Sequence, residues 1–148
     1  MSDWVLILGG STGHGAAVAK KLALEGYGII SFHLDRGEAK KIAQKNIEEI
    51  NELTNGNCHY FNTNAASEDV MNDYIPKIKE ITSSKPLKLI LHSIAFGTTT
   101  NFFGEKPVTE RQMNMTIHVM SNSLLYWTQK LFKAVSYTHL TLPTTHCV

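Results

Sequence analysis

Near its N-terminus the chain reads WVLILGGSTGHGAAVA, residues 4–19, which passes from an apolar run through a glycine-rich turn into a segment of helical character. The apolar run is typical of a strand that is buried on both faces. A strand that ends in glycines and opens a helix lets backbone amides approach a phosphate group at the positive end of the helix dipole. Glycine is a steric requirement in such a turn. Residues 4–19 therefore predict a strand-turn-helix unit and favour a bound pyrophosphate.

The glycine spacing of this turn leaves two interpretations open. It is Gly9-x3-Gly13-x-Gly15, which differs from the GxGxxG fingerprint of dinucleotide-binding folds. Glycine-rich turns after strands also occur as plain tight turns without a ligand. The order of the elements that follow favours the nucleotide.

Outward from this unit, apolar runs alternate with segments of helical period. The predicted strands are residues 4–8, 28–34, 57–61 and 87–91, and the predicted helices are residues 15–25, 39–53, 67–81 and 109–134. This alternation is the pattern of βαβ units, and it predicts an α/β fold in which helices cover both faces of a parallel sheet. We expect every strand to be buried on both sides.

Three of the helices carry specific expectations. The second should place Ala39, Ala43, Ile47, Ile50 and Leu53 on one face. The third should bury Met71, Ile75 and Ile78, while Pro76 should kink or shorten it. The last should begin with a capping box formed by Thr109 and Gln112. Its predicted apolar stripe consists of Met113, Ile117, Met120, Leu124, Trp127 and Leu131.

Composition excludes several classes of protein. The 14 basic and 13 acidic side chains give a formal charge of +1, which argues against binding to nucleic acid or to an anionic membrane. The two cysteines, Cys58 and Cys147, are too few for a disulfide framework or a zinc site and fit a reducing cytoplasm. We expect no leader peptide, and the sequence contains no apolar run of membrane-spanning length. The sequence predicts one domain, of which residues 1–134 are the N-terminal part, in the cytoplasm.

Two motifs together resemble the short-chain dehydrogenase/reductase family. GGSTGHG, residues 9–15, resembles the family's glycine turn, and LHSIAFG, residues 91–97, resembles the corresponding segment of its enoyl-acyl carrier protein reductase branch. In the segment that corresponds to residues 91–97, most members of the wider family have Asn-Asn-Ala-Gly. The resemblance covers residues 4–134 and implies a Rossmann-like, doubly wound parallel sheet of strand order 3-2-1-4, here truncated after the fourth helix.

The resemblance also implies a set of residues that bind NADP or NAD. Gly9, Gly13 and Gly15 would line the pyrophosphate, with Ser11 and Thr12 as donors. After the fourth strand, residues 93–95, which are Ser93, Ile94 and Ala95, would pack under the nicotinamide ribose.

Two further loops would bind the adenosine half of the cofactor. Asp35 and Arg36 stand where the family recognises the ribose, since an acidic residue accepts bonds from free hydroxyls and an Arg pairs with a 2'-phosphate. Arg36 favours NADP slightly. Asn64, with Ala65 beside it, stands where a polar side chain holds the adenine amino group.

The family's proton-transferring Tyr and Lys have two apparent matches. Tyr126 precedes Lys130 by four residues and Lys133 by seven, which fits both of the family's spacings. Both matches lie on the fourth helix, whereas the family has its pair on the next helix. We therefore predict no catalytic residue within the chain and interpret Tyr126 as a packing or interface residue.

The last residues differ in character from the rest. VSYTHLTLPTT, residues 135–145, alternates polar and apolar residues as a strand does, but it resembles one reading frame of a sequencing adapter. Residues 135–148 are therefore expected to be a non-native tail. On this interpretation the chain is part of a reductase and is itself inactive.

The parent would reduce an enoyl thioester or a related small-molecule or acyl-carrier substrate, and would form a homo-oligomer through the helix 109–134. Two alternatives stay open: a family member acting on a carbonyl or hydroxyl substrate, and a non-catalytic dinucleotide-binding regulator.

Overall fold

The computed structural model describes residues 3–134, and the expected tail at residues 135–148 lies outside them. Strands and helices alternate as predicted, with boundaries within two residues of the expected ones except on the last helix. The strands are β1 (Trp4–Leu8), β2 (Gly28–His33), β3 (Cys58–Asn62) and β4 (Leu89–His92). The helices are α1 (Gly13–Leu24), α2 (Ala39–Leu53), α3 (Glu68–Ile81), α4 (Glu110–Ile117) and α5 (Ser123–Ala134), with a π-helical turn, His118–Asn122, between the last two.

The four strands form one parallel sheet in the order β3-β2-β1-β4, which confirms the predicted fold and strand order. The central strand β1 pairs with β2 from Trp4 opposite Gly28 to Leu8 opposite Phe32. It pairs on its other side with β4, from Val5 opposite Leu89. The chain therefore winds outward in both directions from β1, and the order reverses between β1 and β4.

Alternate residues of β1 point to two separate cores. Leu6 and Leu8 belong to a core shared with α3 and α5, whose centre includes the fully buried Trp127. Val5 and Ile7 belong to the opposite core, shared with α1 and α2. A strand places successive side chains on opposite faces, so an uninterrupted apolar run can fill two cores at once. Helices on both faces make the sheet doubly wound.

Burial on both sides is confirmed for β1 and β2 but is wrong for the outer strands. β3 is only partly buried along its length, and in β4 only Ile90 is buried. Each of these strands pairs with one neighbour among residues 3–134, so one long side lacks the cover that a central strand receives.

Pro76 lies inside α3 and does not shorten it, because the helix continues to Ile81. The inward face of α3 carries the buried Met71 and Ile78, with Ile75 packed beside them. On α2, Ala43 and Ile50 are buried as expected, but Ala39 is exposed at the first helical position.

The predicted apolar stripe on the last helix is wrong in its first half. The capping box of Thr109 and Gln112 is present, and Trp127 and Leu131 are buried. Ile117 and Met120, however, are exposed by 47% and 45%. A π-helical turn bonds residues five apart, so it adds a residue and rotates the face before it relative to the face after it.

None of the helices within residues 3–134 is long and apolar enough to cross a membrane.

Candidate functional site

Four loops meet along one edge of the sheet, because parallel strands all end on the same side. These loops follow β1, β2, β3 and β4, and together with the first turn of α1 they contain every residue that the sequence nominated for the cofactor. In open parallel sheets, ligands bind in the crevice outside the carboxyl ends of the strands, where the strand order reverses. The nominated residues are Gly9, Ser11, Thr12, Gly13, Gly15, Asp35, Arg36, Asn64, Ala65, Ser93, Ile94 and Ala95.

The turn between β1 and α1 folds back onto itself at its outer glycines. A Cβ at Gly15 would overlap the carbonyl oxygen of Gly9, and Gly9 itself has a φ of +91°, in the region that favours glycine. Gly13 also has a positive φ, +54°, but an added Cβ there would meet open space among the described residues. The glycines of the turn therefore serve two needs, close approach and left-handed backbone.

Gly9 also joins the two strands that flank the point of reversal. A Cβ at Gly9 would collide with the carbonyl of Ser93, in the loop after β4. The amide of Ser93 donates to the carbonyl of Leu8 at 2.7 Å, so this loop is fixed against the end of β1. The crevice of the reversal point is thus lined by the glycine turn on one side and residues 93–95 on the other.

The start of α1 presents backbone amides to this crevice. Thr12, the N-cap, is extended, and its side chain does not cap the helix. The first amides of an α-helix have no partner within the helix and carry its positive end. The amides at the start of α1 are therefore donors of the kind that an anion requires.

A buried serine that the sequence reasoning missed supports the turn from below. The amide of Gly10 donates to Ser31 Oγ at 3.1 Å, and Ser31 Oγ donates to the carbonyl of Ile7 at 2.9 Å. Ser31 is fully buried in β2. The sequence signal that could have identified Ser31 is its position as a single hydroxyl residue between Ile and Phe in an apolar strand.

Asp35 lies at the centre of a second network, at the end of β2. Its Oδ2 accepts a hydrogen bond from Ser11 Oγ at 2.5 Å and lies 2.7 Å from His33 Nδ1. Its side chain is only 12% exposed. Its backbone carbonyl accepts a bond from Asn62 Nδ2 at 3.2 Å. The carboxylate is therefore tied to the glycine turn, whereas the neighbouring Arg36 is exposed.

Two other residues that were not predicted hold the carbonyls of the turn. Asn46 of α2 donates to the carbonyl of Ser11 at 2.9 Å, and the Tyr60 hydroxyl lies 3.4 Å from the carbonyl of Gly10. Burial raises the pKa of Tyr60 above its ordinary value, so this phenol keeps its proton. Both residues come from elements far along the chain, and no local motif marks them.

The loop after β3 contains two nominated residues, Asn64 and Ala65, in different environments. Asn64 is exposed, and its Oδ1 accepts a bond from the amide of Ala66 at 3.0 Å. Ala65 is buried, and its carbonyl accepts the indole N–H of Trp127 at 2.7 Å. Within residues 3–134 the side-chain amide nitrogen of Asn64 has no hydrogen-bond partner, while Ala65 contributes mainly to the packing of α5.

The loop after β4 is anchored through His92. His92 Nε2 lies 2.8 Å from Ser123 Oγ, and that hydroxyl donates to the carbonyl of Val119 at 2.7 Å. A hydroxyl has one proton to give, so the hydrogen in the first bond comes from His92 Nε2. Burial lowers the pKa of His92 below its ordinary value. The π-helical turn thus brings Ser123 to the end of β4.

Beyond this bond, Ile94 packs against the core below the sheet, and Ala95 is exposed.

The apparent Tyr and Lys matches lie in a different region. Tyr126, Lys130 and Lys133 line an open cavity of about 280 Å³ between α3 and α5. Lys130 Nζ donates to Glu68 at 3.2 Å and to Asn72 at 2.8 Å. These contacts attach Lys130 to α3. The interpretation of Tyr126 as a packing or interface residue stays a prediction.

Within residues 3–134, no three side chains of the metal-ligating types come together as a metal site.

Comparison with known proteins agrees with this architecture. A family model described as short chain dehydrogenase matches residues 3–139. No curated protein matches the chain.

Several solved structures share the fold. A 3-oxoacyl-[acyl-carrier protein] reductase from Brucella melitensis in complex with NAD is 17% identical with a TM-score of 0.73, over 97% of this chain and 53% of that one. ElxO with NADPH bound is 20% identical with a TM-score of 0.70, and the match covers 90% of this chain and 50% of that one. A short-chain dehydrogenase/reductase from Serratia marcescens is 16% identical with a TM-score of 0.71, over 90% and 51%.

The chain spans about half the length of these structures. At these identities the likeness shows the fold alone. The family follows from the match over residues 3–139 together with the glycine turn and the reversal of strand order beside it. This chain is therefore a member of the short-chain dehydrogenase family.

Proposed function

We propose that this chain is the cofactor-binding part of an NAD(P)H-dependent reductase. The observation that carries the proposal is the glycine turn at the point of strand reversal, where added Cβ atoms at Gly9 and Gly15 would collide with backbone. Because the backbone segments of the turn lie this close together, space and amide donors remain for a pyrophosphate beside the start of α1. Membership of the short-chain dehydrogenase family supports the same assignment.

The residues fit a dinucleotide in an order that follows the strands. The amides of Gly13 and Gly15 would hold the pyrophosphate, Asp35 the adenosine ribose, and Asn64 the adenine. Ser93 would lie under the nicotinamide ribose. When bound, the nicotinamide supplies a hydride to the substrate. The chain's own part would be to hold the nicotinamide ribose over residues 93–95, which line the crevice opposite the glycine turn.

Isothermal titration of the chain with NADH, NADPH and ATP tests this proposal. We expect both nicotinamide dinucleotides to bind more tightly than ATP. Asp35→Ala should change the affinity for the dinucleotides, whereas Lys130→Ala, in the cavity between α3 and α5, should leave it unchanged. Equal affinity for all three nucleotides would refute the proposal.

For the parent, we propose reduction of the double bond of an enoyl thioester, carried by a small molecule or an acyl carrier protein. The support is the segment LHSIAFG, residues 91–97, and its anchoring through His92 and Ser123. A family member acting on a carbonyl or hydroxyl substrate, or a non-catalytic regulator, would share the rest of the site. We place the protein in the cytoplasm, which the small number of cysteines supports.

The gene sequence beyond residue 134, read from an uninterrupted source, separates these alternatives. A Tyr-x6-Lys pair on the following helix supports enoyl reduction, a Tyr-x3-Lys pair supports the dehydrogenases, and the absence of both supports the regulator. Because we propose that this pair lies outside the chain, purified chain with NADH or NADPH and an enoyl thioester should show no oxidation of the nicotinamide. Turnover that depends on Tyr126 would contradict this.

We also propose that the parent forms a homo-oligomer through residues 109–134. The exposed side of α4, the π-helical turn and α5 supports this, because large apolar side chains in water mark association surfaces. Sedimentation of the chain should show a self-associated species that Leu125→Glu dissociates. The exposed apolar side chains are Met115, Ile117, Met120, Leu125 and Phe132.

A further inference from the structure

The Asp35 carboxylate is held on one side only. Ser11 Oγ and His33 Nδ1 both reach the same oxygen, Oδ2, at 2.5 and 2.7 Å. A carboxylate only accepts hydrogen bonds, so the His33 ring donates its Nδ1–H here. Within residues 3–134, no donor reaches the other oxygen, Oδ1. One half of the carboxylate is therefore fixed, and the other half keeps its capacity to accept.

His33 is itself fixed in place. It is buried in β2, and its ring lies edge-on to Tyr60 of the neighbouring strand, with ring centroids 6.0 Å apart. Ser11 is also buried, and Asn46 Nδ2 holds its carbonyl at 2.9 Å. His33 cannot move aside without disturbing β2, and the backbone of Ser11 is held within the glycine turn. Turning the Asp35 carboxylate away from a ligand that it repels would break its hydrogen bonds to Ser11 and His33.

This constraint bears on the two cofactors differently. A ribose with free hydroxyls can donate to a carboxylate, whereas a 2'-phosphate adds about two negative charges and no donor. Arg36 is the residue that would compensate a 2'-phosphate, but it is exposed, where a charge pair contributes little. We therefore expect the fixed carboxylate of Asp35 to outweigh the exposed guanidinium of Arg36.

We propose that His33 is a positioning residue for cofactor selection: with Ser11 it fixes Asp35 so that the site prefers NADH, with its free ribose hydroxyls, over NADPH. This inference rests on the proposed dinucleotide binding. It reverses the slight preference for NADP that Arg36 suggests in the sequence. It assigns to His33 a role that its position in the chain, inside a strand and two residues before the Asp, does not reveal.

The test is the ratio of dissociation constants for NADPH and NADH, measured by isothermal titration in the unmodified chain and in His33→Leu and His33→Asn. Leu fills the site without a donor, and Asn has an amide N–H close to the position of Nδ1. We expect the unmodified chain to prefer NADH. His33→Leu should weaken NADH binding about tenfold, the effect of losing a hydrogen bond that orients a charged group. NADPH binding should not weaken, and His33→Asn should restore most of the preference.

Circular dichroism of each variant, taken at the titration temperature, confirms that it is folded before its ratio is compared. A purely structural role for His33 would lower both affinities equally and leave the ratio unchanged, which would overturn the inference. A preference of the unmodified chain for NADPH that Arg36→Ala abolishes would also overturn it. If neither dinucleotide binds more tightly than ATP, the proposed function itself has failed, and that outcome is distinct from both.

Discussion

Gly15, in the first turn of α1, lies directly against the backbone of Gly9 at the end of β1, so closely that a Cβ on Gly15 would overlap the Gly9 carbonyl oxygen. The first strand and the first helix thus approach each other through backbone alone. Gly13, two residues earlier, has open space around it within the described chain and needs glycine only for its φ of +54°. The two glycines have different physical roles, and substitutions can separate them.

Gly15→Ala should destabilise the chain by at least about 3 kcal/mol, because backbone atoms on both sides must move to admit the methyl group. Gly13→Ala should cost only about 1 kcal/mol, the strain of a left-handed backbone for alanine. Urea denaturation followed by the fluorescence of the buried tryptophans measures both. Equal losses in the two variants would contradict the close contact between Gly15 and Gly9.

Ser31→Ala should destabilise the chain by about 2 kcal/mol, because the buried amide of Gly10 loses its acceptor and the carbonyl of Ile7 loses a donor. Thr54→Ala is the matched control. The Thr54 hydroxyl donates to the carbonyl of Ile50 at 2.8 Å, but that carbonyl also accepts from the Thr54 amide, so no buried group loses its only partner. We expect the control to cost clearly less in the same denaturation experiment. Ser31→Ala should also weaken dinucleotide binding, since Ser31 supports the glycine turn.

Trp127→Phe should destabilise the chain by about 3 kcal/mol through a lost buried hydrogen bond to Ala65 and a smaller ring in the core. Thermal unfolding followed by circular dichroism provides the measurement. Tyr126→Phe, next to it on the exposed side of α5, should change the melting temperature little. A small effect of Trp127→Phe would mean that the indole does not join α5 to the loop after β3.

Stability should fall as the pH drops below about 6.5, and His92 should account for part of the loss. Burial lowers the pKa of His92 in the folded chain below its ordinary value of 6.5. At pH values between the folded pKa and the ordinary pKa, the unfolded chain binds more protons than the folded chain does. The contribution of neutral His92 to the free energy of unfolding is therefore complete above pH 6.5 and is lost as the pH falls through the folded pKa. Burial also lowers the pKa of His59 below its ordinary value, so His59 contributes to the loss in the same direction.

His92→Gln removes this group while keeping a side-chain donor, so it should flatten the fall in unfolding free energy between neutral and mildly acidic pH. His59→Gln is the comparison, and the remaining slope should reflect it. Urea denaturation at a series of pH values gives the curves. If the slope is the same with and without His92, the imidazole is not desolvated in the folded chain.

Most of the fold could be predicted because its determinants are local. A run of apolar residues such as residues 4–8 shows a strand without reference to any other part of the chain, and the helices are marked by their period and by the Thr109–Gln112 capping box. The π-helical turn, His118–Asn122, could not be predicted. The Thr116 hydroxyl accepts a hydrogen bond from the amide of Thr98 in the loop after β4, and Ser123 bonds His92 at the end of β4. The helix is therefore fixed on both sides of the π-helical turn by contacts with a distant part of the chain. The single helical period of the sequence therefore misplaced Ile117 and Met120.

The residues of the site also divide into those that the sequence reveals and those that it does not. The glycines, Asp35 and the segment after β4 are visible in the sequence because each is a local feature of one strand end. The supports of the site, Ser31, His33, Asn46 and Tyr60, are ordinary polar residues within strands and a helix.

By itself the sequence determined that the chain forms a doubly wound parallel sheet with a glycine turn after its first strand, since strand, turn and helix signals act over a few residues. Only the tertiary structure decided what the turn is joined to. Ser11 and Asp35 are 24 residues apart in the chain and meet because β1 and β2 are neighbours in register. Gly15 contacts Gly9 because apolar packing in the core on that side of the sheet holds α1 against the strands. Such contacts depend on the packing of whole elements, which no short stretch of residues specifies.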